Sequence, residues 1–180
     1  MIVVMGLPGA GKSTVLSIAH KTDYKIVNYG DLMFEIASRD FGVKHRDELR
    51  KLAPETQKKV QATVGKALSA MKGKIILDTH CSISTPKGYL PGLPHSLLSG
   101  LKVDYLVLII APIGEIMGRR KSDNTRVRDS ESSESASEHD SMNRSFLAAY
   151  SCLTGAPAMI ISNRDGKLKL AQKRLLSLLE

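Results

Sequence analysis

Tryptophan is absent from this 180-residue sequence, and aromatic residues make up only 4% of it. So few rings leave little for base stacking, which argues against a surface that reads single-stranded nucleic acid. Cysteine is as scarce. Cys81 and Cys152 stand alone, and no Cys-x-x-Cys pair occurs. His45, His80 and His139 show no metal-ligand spacing, so neither a disulfide framework nor a zinc site is expected. Cys81 and these histidines read as structural or supporting residues, with His80 set apart because it lies just beyond Asp78. The longest apolar run, Leu106 to Pro112, is far too short to cross a bilayer. No basic leader precedes Ile2 to Met5. These absences lead us to expect a cytoplasmic chain with reduced thiols and no membrane partner.

What is present is positive charge. The net charge of +8 favours anionic partners. The basic residues do not form one long stripe. They gather locally, at Arg46-Arg50-Lys51, Arg119-Arg120-Lys121 and Arg126-Arg128. Small groups of this kind suit discrete phosphates better than the backbone of a nucleic acid. An apolar fraction of 42% on a chain of this length supports one domain with a sizeable core.

Short apolar runs alternate with amphipathic segments. Strands are expected at Ile2 to Met5, Lys25 to Asn28, Lys74 to Asp78, Val103 to Ala111 and Ala158 to Ser162. Helices are expected at Lys12 to His20, Gly30 to Arg39, Pro54 to about Met71, after Pro112, from about Glu138 to Cys152 and after Gly166. Strands apolar throughout are buried on both faces, so the expected fold class is a three-layer α/β domain with a parallel sheet. Asp78 to Pro94, rich in Ser, Thr, Pro and Gly, reads as an ordered functional loop. Ser122 to Ser137 is polar, holds five serines from Ser130 to Ser137, and reads as a short lid.

The strongest motif is Gly6-Leu7-Pro8-Gly9-Ala10-Gly11-Lys12-Ser13, a P-loop (Walker A) match between the first strand and the first helix. A phosphate chain needs many donors converging on a small volume. Glycines let backbone N–H groups approach it, and the following helix adds its N-terminal dipole. Lys12 would reach the outer phosphates of ATP, the Ser13 hydroxyl would ligate Mg²⁺, and Thr14 would sit nearby. Asp78, closing the run Ile75-Ile76-Leu77, is the expected second metal residue, acting through water. A kinase must also exclude water and meet the charge of the moving phosphoryl group. Arg120, Arg126, Arg128 and Arg144, with Arg119, flank or lie in the lid and are the candidates for that task. Arg126 and Arg128 alternate, so an extended segment would turn both to one side.

These residues resemble the adenylate kinase family, most closely its short archaeal type, over nearly the whole chain. The likeness rests on Val27-Asn28-Tyr29-Gly30-Asp31, Arg46 to Leu52, Asp78-Thr79-His80, Thr85 to Pro94, Thr125-Arg126-Val127-Arg128-Asp129 and Asn163-Arg164-Asp165-Gly166. The resemblance implies a five-stranded parallel sheet in a single P-loop kinase domain. Its core would span about 1–28, 74–120 and 145–180, its monophosphate-binding helices about 29–72 and its lid about 121–138. It implies transfer from Mg-ATP to AMP giving two ADP, no covalent intermediate, and a homotrimer. By position, Arg120, Arg126 and Arg144 match arginines that grip the transferring phosphates, and Asn163 and Arg164 fall where the family wraps the ATP adenine.

Two positions depart from the family pattern. Phe34 stands where ordinary members carry the arginine of Gly-Asp-x-x-Arg, and Ser82 stands where they carry an arginine after the third strand. The AMP site is therefore expected from Tyr29, Gly30, Asp31, Arg46, Arg50 and Lys87. Two alternatives share the same cradle: a kinase for another monophosphate or small alcohol, and a nucleotide-gated RNA-binding or assembly protein. No Asn-Lys-x-Asp guanine motif supports a GTPase.

Overall fold

The computed structural model describes residues 1–122 and 132–180, the side chains of Arg50 and Pro54 excepted. Five strands form one sheet: β1 (Ile2–Gly6), β2 (Lys25–Asn28), β3 (Ile75–Asp78), β6 (Tyr105–Ile110) and β7 (Ala158–Ser162). Their order is β2-β3-β1-β6-β7, and every pairing is parallel. β1 is buried along its whole length, as its unbroken apolar sequence requires.

Helices cover both faces. Val3, Met5, Leu77, Leu106 and Leu108 pack with residues of α2 (Tyr29–Phe41), α3 (Pro54–Ala70), α4 (His95–Leu98) and α6 (Ser133–Thr154). Their strand neighbours Ile2, Val4, Ile76, Val107 and Ile109 pack with α1 (Lys12–Leu16), α5 (Ile113–Ser122) and α7 (Leu168–Leu176). After β1 the chain crosses to β2 at one edge, and after β3 it crosses β1 to β6. The C-terminal end of β1 thus lies where the strand order reverses, the place where open α/β sheets bind ligands.

Three segments differ from the sequence expectation. The first helix ends at Leu16 and tightens into a 3₁₀ segment, Ser17–Lys21. Ser17 Oγ donates to the Thr14 carbonyl at 2.8 Å, a local bond that competes with continued α-helix. Within the expected loop, β4 (Ser82–Thr85) and β5 (Gly88–Pro91) form an antiparallel hairpin turned at Pro86-Lys87. α6 starts at Ser133, inside the expected lid. Ser132 caps it, its hydroxyl accepting from Ser135 N–H at 3.1 Å. Glu134 in the first turn favours that start through the helix dipole.

Candidate active site

β1 delivers the chain into the loop Leu7–Gly11, and α1 carries it away. The loop lies close to its neighbours: a Cβ on Gly6 would fall 2.6 Å from the Ile109 carbonyl oxygen. Gly11, at φ 78, takes the left-handed turn that starts the helix. Lys12 and Ser13 therefore stand at the mouth of the loop, as the motif implies.

Lys12 Nζ pairs with Asp78 Oδ1. The other carboxylate oxygen accepts from Asn28 Nδ2 at 2.9 Å. Asn28 is a site residue that the sequence reading passed over. It faces Asp78 across the β2–β3 pairing, and its Oδ1 caps α2 by accepting from Asp31 N–H at 3.1 Å. Its cap position was visible in the sequence; its strand neighbour was not.

Asn163 and the paired arginines support the loop from behind. Asn163, 5% exposed, donates from Nδ2 to the Ala10 carbonyl at 2.9 Å. Arg120 Nε donates to the Pro8 carbonyl at 2.8 Å. Arg119 joins α5 to the 163–165 turn through Asp165 at 3.0 Å and the Asn163 carbonyl at 2.9 Å, and is held by Glu115 one turn earlier on α5 at 3.1 Å. Beside them a cavity of about 200 Å³ is lined by Gly11, Thr14, Arg119, Asn163, Arg164 and Asp165, among others. It brings together the expected ATP residues at the two ends of the chain.

Arg144 lies elsewhere. It pairs with Asp140 one turn earlier on α6, at 2.9 Å, and lines a second cavity of about 350 Å³ with Ile110, Pro112 and Arg164. Arg164 lines both cavities. Arg126 and Arg128 lie outside the described residues.

On the acceptor side, Arg46 bends over Gly30 and pairs with Asp31. Tyr29 is 7% exposed, and its hydroxyl has no hydrogen-bond partner among the described residues. Burial pushes its pKa up to about 12. Lys87 is exposed at the hairpin turn; Arg50 lies in the 3₁₀ segment Arg46–Lys51. The two departures from the family pattern have structural explanations. Phe34 packs against the core. Ser82 is buried at 2% exposure and is hydrogen-bonded to α6, so it faces no ligand.

His80 is open to solvent at one edge, yet protein surrounds most of its ring. That desolvation, and then the Lys12 charge, lower its pKa from 6.5 to about 4, with Asp78 opposing. Cys81 is buried, and its thiol pKa is pushed up to about 12 by desolvation, as expected of a structural residue.

A family model described as an AAA domain matches residues 5–137. The adenylate kinases of Methanocaldococcus jannaschii and Methanothermobacter thermautotrophicus are 46% and 45% identical to this chain, over all of it and 98% and 99% of theirs. The chain belongs to the adenylate kinase family. It is a nucleoside monophosphate kinase, as its loop, basic residues and parallel sheet led us to expect. Among solved structures, the shikimate kinases of Bacteroides thetaiotaomicron and Acinetobacter baumannii superpose with TM-scores of 0.58 and 0.54. They are 13% and 18% identical; the overlays cover 99% of this chain and 97% and 92% of theirs. That likeness extends the shared fold to the wider P-loop kinases.

Proposed function

We propose that the chain transfers the terminal phosphoryl group of ATP to AMP, reversibly and with Mg²⁺, giving two ADP. The observation that carries this reading is the Lys12–Asp78–Asn28 cluster at the mouth of the P-loop, in a chain that matches adenylate kinases end to end.

Backbone N–H groups of Leu7 to Thr14 and the Lys12 ammonium would hold the ATP phosphates. The adenine would lie along Asn163 and Arg164, in the cavity beside Gly11. The Ser13 hydroxyl and the Asp78 carboxylate are hard oxygen donors. Among the described residues no cluster of three His, Cys, Asp or Glu side chains could cage an ion. That donor set fits Mg²⁺, which keeps most of its waters and takes one or two protein ligands with substrate phosphates. When bound, the ion would neutralise negative charge on the ATP phosphates. Asn28 keeps the Asp78 carboxylate turned toward the loop, and Lys12 exchanges its carboxylate partner for phosphate.

The acceptor would be held by Tyr29, Gly30, Asp31, Arg46, Arg50 and Lys87, its phosphate drawing Arg46 away from Asp31. Arg120, Arg126, Arg128 and Arg144 would meet the charge of the moving group, Arg144 by leaving Asp140. The acceptor oxygen attacks directly, without a covalent enzyme intermediate. The acceptor helices at 29–72 and the lid arginines between α5 and α6 would close on the core to exclude water.

We place this activity in the cytoplasm, in a homotrimer, as the family resemblance implies. The support for self-association is the exposed apolar pair Ile83 and Leu90, 47% and 56% exposed and directly opposite each other on the hairpin. Sedimentation of the purified chain tests it. The catalytic reading is tested by following ADP formation from ATP with AMP, CMP or UMP as acceptor. AMP is expected to be the preferred acceptor; turnover of CMP or UMP with AMP inert would overturn the assignment.

A further inference from the structure

α6 presses a face against the start of the hairpin that is unusually polar for a buried contact. His139, Asn143, Leu147 and Tyr150 form one stripe at helical spacing, and all four are buried. Its two polar leading residues meet Ser82. The Ser82 hydroxyl donates to Asn143 Oδ1 at 2.7 Å. His139 Nε2 lies 3.1 Å from that hydroxyl oxygen and 3.2 Å from the Ser82 carbonyl. With the Ser82 hydrogen committed to Asn143, Nε2 carries its own hydrogen and donates to both.

The neighbouring residue is pinned to the same helix. Cys81 Sγ donates to the Asn143 carbonyl at 3.2 Å. The Cys81 carbonyl accepts from Tyr150 Oη–H at 2.8 Å and from Gly92 N–H at 2.9 Å. Tyr89, on β5, tilts against the His139 ring with centroids 5.1 Å apart.

Apolar contacts would let a helix settle at a range of rotations; directional bonds in a dry setting restrict it to one. Asn143 immediately precedes Arg144, and Ser82 follows Asp78 by four residues. The cluster therefore ties the helix bearing Arg144 to the strand end bearing Asp78. Asp140, the partner of Arg144, rides on the same helix.

We infer that His139 and Asn143 are positioning residues for phosphoryl transfer: by pinning α6 to Ser82, they aim Arg144 at the transferring group. This rests on the role proposed above for Arg144, and a double-mutant cycle separates the two. Asn143→Ala, Arg144→Ala and the double variant are assayed for kcat and for KM of ATP and AMP, with thermal melting alongside. Asn143→Ala is expected to lower kcat by about 10-fold with KM values nearly unchanged, and to add nothing in the Arg144→Ala background. His139→Gln, which keeps a side-chain N–H donor, is expected to retain most of the activity that His139→Leu loses.

Losses that multiply in the double variant would overturn the inference, as would an unchanged kcat in Asn143→Ala. A wild-type kcat in Arg144→Ala would instead remove the role of Arg144 itself, and this inference with it. Should Asn143→Ala fail to fold, Ser82→Ala carries the same cycle, since it removes a single hydroxyl from the cluster.

Discussion

Asn28 donates a hydrogen bond to the Asp78 carboxylate at 2.9 Å from the directly opposite position in the parallel β2–β3 pairing. The same amide group caps α2 through its oxygen. One side chain thus orients the expected metal residue and starts the first acceptor-side helix. Asn28→Ala is expected to lower stability by about 1–2 kcal/mol through the lost cap and the under-satisfied carboxylate. It should lower kcat by about 10-fold by freeing Asp78. Denaturant unfolding and steady-state kinetics on one preparation measure both. A loss of stability with unchanged kcat would reduce Asn28 to a helix cap.

Lys12 offers a cleaner separation of fold and chemistry. Its ammonium pairs with Asp78 in a partly buried site, 16% and 13% exposed respectively. Lys12→Ala should lower kcat by roughly 10²-fold or more while the circular dichroism spectrum stays that of the parent. Activity within a factor of about two of the parent would contradict phosphate contact by this residue.

Much of this was legible in the sequence because the signals were local. Short apolar runs announced five strands, of which β1, β3 and β6 are largely buried while the edge strands β2 and β7 are only partly so, and the P-loop motif placed Lys12 and Ser13 without help from tertiary structure. What escaped was decided by partners distant in the chain. The hairpin at Ser82–Pro91 looked like loop because its strands are four residues each and are split by Pro86 and Gly88. Ser82 read as a missing arginine; it is the anchor of α6, which begins only at Ser133. The N-cap at Ser132 was hidden among neighbouring serines, each able to fill the same role.

Tyr29 should show opposite signs for stability and binding. Its hydroxyl is buried with no hydrogen-bond partner among the described residues, an arrangement that costs free energy when nothing is bound. Tyr29→Phe is expected to raise stability by about 1 kcal/mol. If the hydroxyl serves the acceptor nucleotide, KM for AMP rises as well. A melting temperature lower than the parent's would show that the hydroxyl is satisfied in solution.

Arg126 and Arg128 are expected to act at the transition state, when the lid meets the moving phosphoryl group. Replacing either by Ala should lower kcat by about 10²-fold and change KM for AMP much less. Equal and full activity in both variants would leave charge neutralisation to Arg120 and Arg144 and withdraw the lid arginines from the mechanism.

His80 predicts a pH dependence whose sign follows from its lowered pKa. Its folded pKa is about 4 against an ordinary 6.5. Between these values the unfolded chain takes up a proton that the folded chain refuses, so stability falls as pH drops from about 6.5 toward 4. Complete burial would make this loss about 3 kcal/mol. The open edge of the ring lets water screen the neighbouring charges, so about 1 kcal/mol is expected. Carboxylates such as Asp40 and Glu48, whose pKa values are lowered by hydrogen bonds, also lose stability in acid. The difference between the parent and His80→Gln isolates the histidine. The two stability curves should run parallel above pH 7 and converge or cross as pH falls to 4. A constant gap across that range would mean that the His80 ring takes its proton as readily in the folded chain as in the unfolded one.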